Sequence, residues 1–162
     1  MRNKYVAEVL WFCLPLLMTI TLLKFEISEE STIDINIHDS YFVIKNIDIL
    51  YTGAIFLGFI IMLIRVLISG FKNNLRNVNF LIYASAFILL WAWFISLNDM
   101  LNTQESWTVH PPLSGMPNKI EYKPFFIDSS YLYIILGTIV LLTIFTGYKT
   151  GLNIRKAKVM LL

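Results

Sequence analysis

The sequence predicts an all-α membrane protein of four transmembrane helices, with both termini cytoplasmic and two ordered extracytoplasmic loops. Three observations carry that reading. The chain of 162 residues is 57% apolar and 15% charged, too greasy for a soluble domain of this length. Its apolar residues gather into four runs of 18 to 21 residues, close to the roughly 20 that a helix rising ~1.5 Å per residue needs to cross ~30 Å of hydrocarbon. Lysine and arginine collect on alternate connections between those runs, as they do on the cytoplasmic side of membrane proteins. Residues 1–162 form one domain, with helices over about 5–25, 49–69, 78–97 and 131–148 and outer loops over 26–48 and 98–130. Four buried helices of a soluble bundle would instead show polar stripes at a 3.6-residue period, and the third and fourth runs show none.

The first run, Tyr5 to Phe25, is apolar apart from Glu8 and Lys24. Arg2 and Lys4 precede it, as in a signal peptide, but "LLKFEISEES" offers no small-x-small cleavage site, so the run is kept as a helix. Pro15 predicts a kink there, since a mid-helix proline removes a hydrogen bond and clashes one turn back. Cys13 is the lone cysteine, which excludes an intramolecular disulfide. In the first outer loop Ile33, Ile35 and Ile37 alternate with Asp34, Asn36 and His38, the period-two pattern of a short strand or extended segment.

The second run, Ile49 to Ser69, carries Arg65 near its cytoplasmic end, where a long side chain can snorkel to water. The connection "GFKNNLRN" is short, polar and basic, so the helices it joins are antiparallel neighbours. In the third run, Val78 to Leu97, Trp91 and Trp93 lie near the outer end, where tryptophan anchors at the lipid headgroups. Gly53, Ala54 and Gly58, and likewise Ala84 and Ala86, are small enough to let helices approach closely. The second outer loop holds Pro111, Pro112, Pro117 and Pro124, so it is neither helix nor central strand, and its prolines pin its shape. The fourth run, Tyr131 to Tyr148, has no charge.

With the N-terminus inside, the inner side holds nine cations (Arg2, Lys4, Arg65, Lys72, Arg76, Lys149, Arg155, Lys156 and Lys158) against the single acid Glu8. The outer side holds four cations against ten acids. The basic balance is therefore a cytoplasmic rim suited to anionic lipid, and no nucleic-acid partner is expected. Isoleucine, lysine and asparagine usage suits a low-GC genome. The expected location is a bacterial inner membrane, with the mitochondrial inner membrane as the alternative. No Gly-rich phosphate loop is present and no Ser-His-Asp candidate lies within the membrane, and no intramembrane ionisable pair of the kind a transporter or proton relay needs is expected. Four nearly charge-free helices argue against a channel or pump.

The two histidines lie in the outer loops, within "IDINIHDSYFVI" and "SWTVHPPLSG". The first resembles the segment of the haem-copper oxidase catalytic subunit (cytochrome c oxidase subunit I) family that reads roughly I-D-x-x-H-D-T-Y-F-V-V-A-H-F-H. The second is similar to that family's G-W-T-V-Y-P-P-L-S. In the family both segments lie on the outer face near the haem propionates, the side to which the charge count assigns them here. The resemblance implies that His38 and Asp39 match a pair binding a non-redox magnesium-type ion. It also implies that Trp107 matches the tryptophan beside a haem propionate and that Tyr41, Pro111 and Pro112 shape that region. His110 replaces the family's tyrosine.

The departures are as informative. Aligned without gaps, the positions of the two axial histidines fall on Asn46 and Asp48, neither a plausible ligand of haem iron. No histidine triplet for a copper centre exists, the two segments occur in reverse order, and four helices stand for the family's roughly twelve. The resemblance implies a short, rearranged relative that keeps the outer rim without the redox core, so neither oxygen reduction nor haem is expected.

His38, Asp39 and His110 admit two readings: a divalent metal site of imidazole nitrogen and carboxylate oxygen, or loop histidines hydrogen-bonded to neighbouring backbone. The first functional expectation is a non-catalytic accessory or assembly subunit of a membrane complex, a respiratory oxidase among them, with other membrane subunits as partners besides the bilayer. The alternative is a stand-alone metal- or haem-binding membrane protein using the outer loops, with Trp107 and Tyr41 as cofactor contacts.

Overall fold

A computed structural model describes residues 2–23, 31–37, 40–102 and 128–159. Four helices span the described chain: α1 (Arg2–Leu23), α2 (Asn46–Ile68), α3 (Asn74–Asn102) and α4 (Ser129–Val159). Each contains a stretch long and apolar enough to cross a membrane: Lys4–Leu22, Asn46–Ile68, Asn74–Met100 and Ser129–Lys156. Between α1 and α2 the strands β1 (Thr32–Ile37) and β2 (Ser40–Lys45) pair as an antiparallel hairpin. The alternating isoleucines thus form a strand, in a register that sets Ile33 opposite Ile44 and Ile35 opposite Phe42. The chain passes from β2 into α2 without a linker, and the Asn46 N–H donates to the Ser31 carbonyl at 3.0 Å, closing the base of the hairpin on the start of the helix.

The helices extend beyond the apolar runs at several ends because polar partners satisfy them there. α3 continues five residues past Leu97 to Asn102, which makes part of the expected second outer loop helical. Its Asn98 donates to the Ser129 hydroxyl of α4 at 3.1 Å, and that hydroxyl in turn donates to Asp99. α4 opens on Asp128, whose carboxylate accepts the Ser130 N–H at 2.9 Å as a helix cap. That hydrogen bond holds the Asp128 carboxyl below its ordinary range. α4 runs on to Val159 with Lys156 and Lys158 in its last turn, where cations complement the carbonyl end of the helix dipole.

The helices pack in chain order, α1 on α2, α2 on α3 and α3 on α4, with α1 also touching α3. Their core lies along α2 and α3, where Phe59, Met62, Val66, Phe80, Ala84 and Phe87 are buried together with Ile139 of α4. The rings of Phe59 and Phe87 stack at 4.4 Å between centroids, and Trp91 continues the row at 5.7 Å from Phe87. Trp91 therefore faces inward: its indole N–H donates to the Leu132 carbonyl of α4 at 3.1 Å. It ties two helices together where the sequence suggested a headgroup anchor, and of the two Trp93 alone points outward, 62% exposed.

The small residues do what their size suggests. Gly58 forms a notch filled by the Tyr83 ring of α3, Gly53 faces Thr19 of α1, and Ala54 and Ala84 are buried. Tyr83 reaches on across the notch, its hydroxyl donating to the Phe12 carbonyl at 2.7 Å. Pro15, which has no N–H, leaves the Trp11 carbonyl four residues back without its helical donor, next to the Phe12 carbonyl that Tyr83 reaches. α1 nevertheless runs on as helix through Pro15, which is fully buried.

Candidate functional site

The most distinctive chemistry in the described residues lies where the start of α1, the end of α2 and the start of α3 meet. Glu8 stands two turns into α1, Arg65 one turn from the end of α2 and Arg76 in the first turn of α3. Antiparallel packing of these helices brings the three to one level. Glu8 Oε1 accepts Arg65 Nη2 at 2.9 Å and Arg76 Nε at 3.1 Å. The Glu8 and Arg65 side chains are 9% and 12% exposed, and Arg76 is more open at 33%. Trp11, three residues after Glu8 and so on the same helix face, lays its ring 4.5 Å below the Arg65 guanidinium. Asn79 of α3 donates to the Glu8 backbone carbonyl at 3.2 Å.

Arg65 is thus neither isolated nor merely snorkelling. It belongs to an ionised pair that the sequence reading did not expect. A charge taken largely out of water is tolerable only when paired and hydrogen-bonded, and one carboxylate here serves two guanidiniums. The cluster carries surplus positive charge, which equips it to hold an anion, and its ion pairs tie three helices together. A signal for it existed in the sequence: Glu8 and Arg65 lie at similar depth from the same side once the helices are assigned as antiparallel.

A second polar group joins the far ends of α3 and α4. Asp99 accepts the Ser129 hydroxyl and, at 3.4 Å, the Tyr133 hydroxyl, while Asn98 bonds to Ser129. This group borders the segment 103–127 that carries the tryptophan and proline motif.

Of the residues singled out from the sequence, His38, Asp39, Trp107 and His110, with Pro111 and Pro112, lie outside the described residues. Tyr41 sits on β2 opposite Asn36. Asn46 and Asp48, which stand at the axial-ligand positions of the oxidase motif, share the first turn of α2, Asn46 buried and Asp48 exposed. Among the described residues no group of three or more histidine, cysteine, aspartate or glutamate side chains is placed to hold a metal ion. No known protein family, curated protein or solved structure matches this chain.

Proposed function

We propose that this chain is a non-catalytic, multi-pass membrane subunit that works by lateral association with other membrane subunits, its termini cytoplasmic and its hairpin outside. The observation that supports this reading most is the serial packing of the helices. α1 and α4 form no packed interface among the described residues, so the helices do not close into a ring. The outer helices keep broad apolar faces, Val9, Leu10 and Leu17 on α1 and Ile134, Leu141 and Ile144 on α4. Such faces suit lipid and equally suit neighbouring transmembrane helices, which associate by close packing rather than by exclusion of water. The oxidase-like outer motifs add a candidate host, a respiratory membrane complex, with the outer loops as part of the contact surface.

Extraction in mild detergent followed by native electrophoresis tests the proposal. The expected result is a complex well above the mass of the 18.8 kDa chain and its micelle, containing other membrane proteins in fixed proportion. Migration as a single chain would overturn it. One equivalent of divalent ion that is lost in His38→Ala, Asp39→Ala or His110→Ala would favour the binding-protein alternative, and a Soret band would extend that alternative to haem.

A further inference from the structure

Two clefts open on either side of Arg76. The first, about 400 Å³, is lined by Lys4, Tyr5, Asn73 and Arg76, with Glu8 at its wall. The second, about 440 Å³, lies between Trp11 of α1 and Ile61, Ile64 and Ile68 of α2, and Arg65 and Arg76 complete it. The three isoleucines and Arg65 are spaced three, four and seven residues along α2, so they form one stripe. That stripe runs about 10 Å from the end of the helix toward its middle.

The charges around the clefts do not balance. Glu8 is the one acid at this end of the helices among the described residues, and its Oε1 engages one nitrogen of each arginine. The terminal nitrogens of Arg76 donate to no described residue, and Lys4 is exposed and makes no ion pair among the described residues. A guanidinium with free donors beside an ammonium is a phosphate-binding arrangement, because the planar fork can grip two oxygens at once. A choline-type headgroup would bring a further cation to a place already rich in them. The adjoining apolar stripe, with Ile64 50% and Ile68 78% exposed, offers nothing to a free phosphate but a surface for a hydrocarbon chain.

We infer that this junction binds one anionic phospholipid of the cytoplasmic leaflet, its phosphodiester on Arg76 and Lys4 and an acyl chain along Trp11, Ile61, Ile64 and Ile68. The inference rests on the membrane location and sidedness proposed above, and not on the partner-subunit reading. Basic recesses between helix ends on the cytoplasmic side are suited to such headgroups, and each cation near the surface strengthens the attraction.

Native mass spectrometry tests it, on the full chain purified in detergent containing equal amounts of phosphatidylglycerol and phosphatidylcholine with identical acyl chains. The wild type should retain phosphatidylglycerol at least about tenfold over phosphatidylcholine, and millimolar inorganic phosphate should not displace it. Arg76→Gln and Lys4→Gln should each bring the ratio toward one, whereas Lys156→Gln, which lines neither cleft, should not. Lys4→Gln breaks no ion pair among the described residues, so its effect does not depend on the Glu8 junction staying folded. Equal retention of the two lipids, displacement by phosphate, or an unchanged ratio in the Lys4→Gln, Arg76→Gln double variant would each overturn the inference. A chain that stays in the aqueous phase on detergent partition would sink the membrane reading itself, independently of lipid class.

Discussion

Glu8 and Arg65 lie fifty-seven residues apart in the chain and meet at 2.9 Å, the one on the first helix and the other on the second. Both side chains are nearly withdrawn from solvent, and Arg76 joins them from the third helix. Removing one partner of a buried pair is costly because the other is left with an uncompensated charge. Glu8→Ala should therefore lower stability in detergent by about 3 kcal/mol, the lower end for such pairs since Trp11 still faces Arg65. A thermal melt followed by circular dichroism reads the loss. Glu8→Ala combined with Arg65→Met should cost less than the sum of the two single changes, and strict additivity would mean that the contact contributes nothing.

Gly58 admits the Tyr83 ring so closely that a methyl group at this position has no room. Gly58→Ala should destabilise the α2–α3 contact by about 1–3 kcal/mol, the usual cost of overpacking. Gly137 on α4 has nothing within 4 Å of where its Cβ would lie, so Gly137→Ala should be neutral or slightly stabilising through helix propensity. Equal melting temperatures for the two variants would refute the notch.

The turn between α2 and α3 is held from both sides. Gly70 and Phe71 have φ of 56° and 63°, a left-handed conformation that costs a non-glycine residue energy unless its surroundings fix it. The Phe71 carbonyl accepts Asn77 Nδ2 at 3.0 Å and Asn153 Nδ2 at 2.8 Å, and its ring meets Phe145 edge-on at 5.1 Å. Asn153→Ala should cost about 1 kcal/mol, the net worth of one hydrogen bond, and should speed amide exchange in the turn. Protection unchanged at Phe71 and Lys72 would show that α4 does not restrain it.

Sidedness has a direct test. In a Cys13→Ser background, Val43→Cys on β2 and Lys156→Cys near the end of α4 place thiols at exposed positions at opposite ends of the helices. A membrane-impermeant maleimide should label position 43 in intact cells and position 156 only after lysis. The reverse pattern would invert the topology and move the lipid site to the outer leaflet.

Much of this architecture was legible in the sequence because helices long and apolar enough to cross a membrane are specified locally. Each span needs only about 20 apolar residues in a row, and four such runs gave the number and order of the helices. Period-two alternation in Thr32–Ile37 gave the strand for the same reason. The ends of α3 and α4 were less legible. Asn98 and Asp99 look like loop residues until Ser129 and Tyr133 of another helix supply their partners.

Helix number, helix order and the placement of basic ends are properties of short windows and can be read along the chain. What the few polar side chains do is set by how the helices pack. Trp91 reads as an anchor from its distance to a helix end, yet it turns inward to the Leu132 carbonyl because α4 packs against that face of α3. Glu8, Arg65 and Arg76 read as isolated charges at the margins of apolar runs. They become one site because antiparallel packing sets three helix ends at the same depth, a relation between segments that no single window contains.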